Sequence, residues 1–391
     1  MTSKAENFDR WIRSSFVEMN TALENLYFSQ SDRGSVEGIG DAIKAKIRDA
    51  GRVFVVGLLE EGNTGDGFES GFGVLGNVGL YLAALRRHEL TNPAREERSP
   101  FAEASSLALH VGVSLGMAPR FATGHLATHN LAINGVQKSF TSLADEKLFL
   151  DENTCGILCF QRAADVLARI VPLGVSHAAT RMLLTNARDA IHDAMQANAR
   201  LFSELDTDRF FYCVRPYYKP YRVGRQEYRG ANAGDFSGIN EIDLLLGLCK
   251  ASDPYYAQLL LDKMLFMLPV DQARLKDCMT RTSLLDEFLA ASERSRNEPW
   301  FRANAAAFLE VCSAFGRTAE QHHNELVEKF IRKPAESIPP EQLAGITASG
   351  PPLPVLLRSL EVLRDLRVAA PRSDIASRHA CMARLKRVLA A

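Results

Sequence analysis

Residues 299–332, PWFRANAAAFLEVCSAFGRTAEQHHNELVEKFIR, decide the fold class of this chain. Pro299 stands where a helix would begin, since its fixed φ suits a first turn, and Pro334 lies just past the far end. Between them Phe308, Val311, Cys312, Phe315, Ala319, Leu326 and Phe330 recur at helical spacing, which makes one apolar stripe. A stripe of that length must lie on other helices. At about 100° per residue, His322 and His323 fall roughly 50° either side of the stripe's centre. Periodicity therefore places both near the buried face and does not choose between them.

Outward from this segment the same period recurs. It predicts helices over approximately 74–88, 101–117, 145–171, 178–205, 238–249, 254–267, 281–292 and 353–367, separated by loops rich in Gly, Pro, Asn and Asp. The exception is Arg52-Val53-Phe54-Val55-Val56-Gly57-Leu58, a β-branched run that reads as one strand or as the buried end of a helix. One such run cannot define a sheet, and no period of 20–50 residues repeats, so a solenoid is excluded. The expectation is an all-α fold: a helical bundle over residues 61–391 preceded by a smaller helical region over residues 1–60. Two long irregular stretches, 216–238 and 333–354, are rich in glycine or proline, as lids and binding loops often are.

Composition bounds the function. With 46 basic and 47 acidic residues in 391, the chain has no single-sign field to attract nucleic acid or a membrane surface. The amino terminus has no apolar core with a small-residue cleavage site, and no uncharged apolar run reaches the ~18–20 residues that span a bilayer; a cytoplasmic location is expected. The seven cysteines are scattered without a C-x-x-C pair, and are expected to be reduced core residues. The stretch 24–30, ENLYFSQ, resembles an engineered protease site with its last two residues exchanged, but it continues a helical pattern and is taken as native.

Gly71-Phe72-Gly73-Val74-Leu75-Gly76 matches the dinucleotide fingerprint G-x-G-x-x-G in letters only. No buried strand precedes it and no βαβ unit follows, so close packing on small residues is the better reading. His125 and His129 are spaced as two zinc ligands on a helix, yet the glutamate of H-E-x-x-H is missing. Residues 210–221, FFYCVRPYYKPY, hold six aromatic side chains in a chain that is 8% aromatic overall, and Arg215 stands among them. An arginine beside flat rings suits a carboxylate on an aromatic molecule, or equally an aromatic core corner with its charged head turned to water. A histidine such as His322 or His323 is ordinarily a core side chain, and is also how a haem iron obtains its fifth ligand.

Three of these blocks, in order, resemble the indoleamine and tryptophan 2,3-dioxygenase superfamily, most closely its branch of monodechloroaminopyrrolnitrin synthases. Phe210-Phe211-Tyr212-Cys213-Val214-Arg215 looks like the stretch whose arginine binds the substrate carboxylate. Gly230-Ala231-Asn232-Ala233-Gly234-Asp235, running into Ile242-Asp243-Leu244-Leu245-Leu246-Gly247, looks like the small-residue loop that lines the haem. His323-Asn324-Glu325-Leu326, with Pro334-Ala335 beyond, is similar to the helix of the proximal histidine, and this match selects His323 over His322. Phe140-Thr141-Ser142-Leu143-Ala144-Asp145-Glu146 and Arg222-Val223-Gly224 favour the synthase branch.

The resemblance implies a helical bundle around haem b. It implies His323 as iron ligand, the 230–234 loop against the cofactor, and a substrate on Arg215, Phe210, Phe211 and Asn232 with Ser349 and Gly350 as a lid. It implies a haem-dependent oxygenase that takes dioxygen and an aromatic or amino-acid-like carboxylate, tryptophan-related in first place, in secondary metabolism. Hydroxylation or oxidative rearrangement, and a helical binding protein without redox chemistry, are the alternatives; an electron donor and an oligomeric assembly are open. Three residues depart from the dioxygenase pattern: Glu320 stands where an arginine near a haem propionate is usual, Asn232 where serine is, and Asp235 where glutamine is.

Overall fold

The computed structural model describes residues 2–62, 67–336 and 353–390. Helices carry nearly all of it, and the two short strands present pair only with each other. The chain divides into two compact units. The first is made of residues 1–151, 204–235 and 329–353, and the second of 152–203, 236–328 and 354–391.

The first unit holds α1 (Ser3–Ile12), α2 (Ser15–Phe28), α3 (Asp41–Glu61), α4 (Phe68–Arg87), α5 (Ala102–Leu115) and the start of α6 (Ala144–Leu173). The boundary expected near residue 60 falls inside it, where α1 and α3 pack on α4 and α5. The β-branched run 52–58 is helical within α3, because strong helix formers precede it and α5 covers one face: Val55 is buried while Val53 is exposed. α4 is buried at every position from Val74 to Arg87. It is apolar and long enough to cross a membrane, yet its burial makes it the core helix of this unit. The fingerprint-like glycines serve that packing. A Cβ at Gly76 would lie 2.4 Å from the His125 ring, and one at Gly79 would lie 2.2 Å from the Phe121 amide nitrogen. His125 spends both ring nitrogens on backbone, accepting from the Ala122 amide and donating to the Phe72 carbonyl. It is a structural histidine, as its missing glutamate partner suggested.

A polar network threads this core. Arg87 donates to both oxygens of Glu24 at 2.8 and 2.7 Å and to the Tyr212 carbonyl at 2.9 Å. Asn20 gives its amide to the Phe140 carbonyl, so its oxygen accepts from His88 Nε2, and His88 Nδ1 accepts from the Tyr27 hydroxyl. That sequence of donors fixes His88 as neutral, in keeping with burial that drives its pKa well down.

The second unit holds the rest of α6, α7 (Thr180–Glu204), α9 (Gly238–Leu246), α10 (Pro254–Met264), α11 (Pro269–Thr280), α12 (Leu284–Ser295), α13 (Pro299–Gln321), α15 (Leu353–Arg367) and α16 (His379–Ala390). Two short turns of the first unit, α8 (Thr207–Arg209) and α14 (Lys333–Glu336), complete the helices among the described residues. The stripe of α13 is buried as expected at Phe308, Val311, Cys312 and Phe315. Asp243 on α9 receives Arg367 through two hydrogen bonds and the Tyr256 hydroxyl through a third, fully enclosed.

The fold is the expected all-α one, and differences are local. The irregular stretch 216–238 contains a tight hairpin, β1 (Tyr221–Val223) against β2 (Gln226–Tyr228), turning at Gly224 with φ +60°. Four cysteines are buried as expected, but Cys155 is exposed and Cys159 and Cys381 are half-buried. Arg87→Leu tests the core network, because it strands a Glu24 carboxylate that burial already pushes up. Urea unfolding is expected to show a loss of about 3–5 kcal/mol, with part recovered in the double variant Glu24→Met/Arg87→Leu. Unchanged stability in the single variant would contradict the assignment.

Candidate functional site

The chain leaves α-helical geometry at both places the sequence singled out. Phe210–Val214 is a π-helical turn that passes directly into a 3-10 turn, Arg215–Tyr218, carrying Pro216. His322–Arg332 is a longer π-helical segment continuing α13. π-helical geometry is uncommon and concentrates at functional sites, since its looser winding costs stability.

In the first unit these turns build an aromatic wall. Phe149 meets Phe210 at 5.1 Å and Tyr218 at 5.8 Å, Phe210 meets Phe330 at 6.0 Å, and Phe140 stacks on Tyr217 at 4.3 Å. Phe211 is fully buried, with the Arg215 guanidinium 5.4 Å from its ring centre. Arg215 is only 6% exposed. It has no carboxylate partner among the described residues, and its Nη2 is enclosed without a hydrogen bond. Burial alone lowers its pKa, to about 10, which leaves it charged at neutral pH. The snorkelling alternative is thus replaced by a buried cation.

The loop 230–235 lies against this segment. A Cβ at Gly230 would fall 1.5 Å from the Tyr218 carbonyl oxygen, so only glycine fits there. Asp235 holds the loop's end: its carboxylate accepts from Arg120 at 3.0 Å, from Arg229 at 3.0 and 2.6 Å, and from the Asn232 amide at 3.1 Å. The exposed Asn232 accepts from the Gly234 amide through its side chain, and its carbonyl accepts from Thr123. These bonds explain two of the three departures from the superfamily pattern. Asp235 and Asn232 fasten the loop on itself and on Arg120. Ala231 is buried, while Ala233 and Gly234 are half-exposed and present almost nothing but backbone, a surface that a flat macrocycle can approach closely.

In the second unit, both histidines are half-buried on the π-helical segment. Burial holds His322 down at about 4, with Arg367 adding to the effect, and lowers His323 with Arg364 adding. Both are neutral imidazoles at pH 7, the form that ligates metal. His323 Nδ1 is enclosed and has no hydrogen-bond partner among the described residues. A half-buried imidazole whose enclosed Nδ1 makes no hydrogen bond fits an iron ligand better than a satisfied core residue. Glu320 is exposed, and Arg317 reaches toward His192 at 3.3 Å. Among the described residues no group of three or more His, Cys, Asp or Glu is placed to hold a metal ion.

Of the expected site residues, the first unit brings together Phe210, Phe211, Arg215 and the 230–234 loop. Ser349 and Gly350 lie outside the described residues. Tyr218 joins the site from the aromatic cluster and Phe330 from the apolar stripe, neither singled out there as a site residue. Arg120 and Phe149 come from positions the sequence reading did not mark, and of these two Arg120, a lone charge in the apolar run MAPRFA, carried a signal. Residues 2–389 match the protein family described as Monodechloroaminopyrrolnitrin synthase PrnB.

Arg215→Met should raise the stability of the unliganded protein by on the order of 3 kcal/mol, the scale of the depression in its pKa. The sign follows because a cation whose folded pKa is depressed opposes folding wherever it stays charged. A melting temperature below that of the parent chain would show that Arg215 has an internal partner.

Proposed function

Because the chain belongs to the monodechloroaminopyrrolnitrin synthase family, a branch of the haem-dependent indoleamine and tryptophan dioxygenase superfamily, we propose that it performs an oxidative rearrangement on an aromatic amino acid derived from tryptophan. It is a haem-dependent oxidoreductase of secondary metabolism. The observation that carries the substrate reading is Arg215, a buried cation over the Phe211 ring without a counter-ion among the described residues. A carboxylate delivered by the substrate would complete it, and a bidentate guanidinium–carboxylate pair would fix the molecule's orientation.

Haem iron, when bound, supplies activation of dioxygen, chemistry that no side chain can perform. The chain's own contributions are binding, orientation and exclusion of water. His323 is the proposed iron ligand, since its neutral, unpartnered imidazole is ready to give a lone pair without first breaking a hydrogen bond. The loop Gly230, Ala231, Asn232, Ala233 and Gly234 is the proposed rest for the macrocycle, held by Asp235 and Thr123. Phe210 and Phe211 are the proposed walls for the substrate ring, and Asn232 its proposed polar neighbour. Rearrangement is preferred over ring cleavage because Asn232 and Asp235 bind the loop itself where the dioxygenases carry serine and glutamine.

The experiment is a haem titration. In His323→Ala the iron ligation visible in the Soret band is expected to be lost and restored by added imidazole, while His322→Ala retains it. The reverse pattern would transfer the role to His322.

A further inference from the structure

Tyr218 closes the 3-10 turn that Arg215 opens. Side chains three apart on such a turn eclipse one another, so the phenol and the guanidinium leave the backbone on the same side. The Tyr218 ring is boxed by the edges of Phe121 at 5.9 Å, Phe140 at 5.9 Å and Phe149 at 5.8 Å. Its carbonyl abuts Gly230, tying the Arg215 turn to the small-residue loop. The hydroxyl is enclosed and has no hydrogen-bond partner among the described residues.

The neighbouring tyrosines differ. Tyr221 Oη accepts from the Phe121 amide at 3.3 Å. The Tyr217 hydroxyl is also enclosed without a hydrogen bond among the described residues, but it faces the Glu24–Arg87 pair, whereas Tyr218 does not. The charge facing Tyr218 is Glu146, whose two oxygens already accept from the Phe140 amide, the Thr141 amide and the Thr141 hydroxyl. Burial drives the Tyr218 pKa well up, so the hydroxyl keeps its proton and its lone pairs. An enclosed hydroxyl without a partner is a standing cost, and in a wall of phenyl rings it is the one group able to distinguish ring types.

We infer that Tyr218 is a specificity residue for the substrate ring: its hydroxyl accepts the ring N–H of an indole whose carboxylate is held by Arg215. A plain phenyl ring would leave the hydroxyl unsatisfied. A site built around a hydrogen bond rejects the analogue that lacks it far more strongly than a purely apolar pocket does. This inference rests on the reading of Arg215 as the carboxylate site.

Tyr218→Phe removes one oxygen and keeps the ring. The haem-loaded protein would be titrated with L-tryptophan and with 1-methyl-L-tryptophan, following the substrate-induced change in the Soret band. The expected result is an unchanged haem spectrum and a melting temperature equal to or above the parent's without substrate, and L-tryptophan affinity about tenfold or more weaker than in the parent. The N-methyl analogue should bind the parent poorly and bind Tyr218→Phe no worse. Tyr221→Phe, which breaks a structural bond, is expected to lower the melting temperature while leaving the preference for the free N–H intact. Equal tryptophan affinity in parent and Tyr218→Phe would overturn the inference alone. A changed haem spectrum in Tyr218→Phe without substrate would overturn it in favour of a role toward the cofactor. A parent protein that takes haem but not L-tryptophan would overturn both this inference and the carboxylate reading beneath it.

Discussion

A guanidinium buried over the Phe211 ring, with no carboxylate to meet it among the described residues, is the constraint around which the first unit is organised. Burying an unpaired charge is among the most expensive things a fold can do. Several acids of the first unit are already committed elsewhere. Glu24 is held by Arg87, Glu89 by Arg86, Asp235 by Arg120 and Arg229, and Glu146 by the backbone of residues 140 and 141. The polar network of α2 and α4 therefore does two things at once. It satisfies its own members, and among the described residues it leaves Arg215 without a carboxylate. Strain of this kind is retained where function uses it.

Departure from α-helical winding is the second organising feature. The π-helical turn at Phe210–Val214 hands over to a 3-10 turn at Arg215, and that change of winding sets where Arg215 and Tyr218 leave the backbone. In His322–Arg332 the same device follows twenty-three residues of regular helix in α13. A chain that packs α-helices elsewhere with ordinary caps, as at Asp253 and Ser283, spends irregular geometry on the two segments that carry its chemistry.

That geometry also explains what could and could not be read from the letters. Helices with a clear stripe were legible to within a few residues, because burial of one face is written directly in spacing: the predicted 353–367 and 178–205 correspond to Leu353–Arg367 and Thr180–Glu204. α11 gave no marked stripe, and buries only Asp271, Leu275 and Cys278; the stripe of α1, Ala5, Phe8 and Ile12, is real but only three residues long. The stripe of α13 failed beyond Gln321, where Val327 is fully buried and Leu326 only partly, since a 3.6-residue period no longer applies on a π-helical segment. For the same reason periodicity had no means of separating His322 from His323. Arg215 and the glycine loop were visible as an unusual cluster and a run of small residues. Phe149 and Phe330 were not, because they reach the wall from distant parts of the chain and resemble any other buried phenylalanine in sequence.

The central claim is that Arg215 is the socket for a substrate carboxylate, and the most direct measurement compares two ligands that differ in that group alone. Haem-loaded protein titrated with L-tryptophan and with tryptamine, its decarboxylated counterpart, reads the carboxylate without altering the protein. The buried cation predicts that tryptamine binds at least about thirtyfold more weakly, the scale of leaving a buried charge unpaired. Equal affinity for the two would contradict the account.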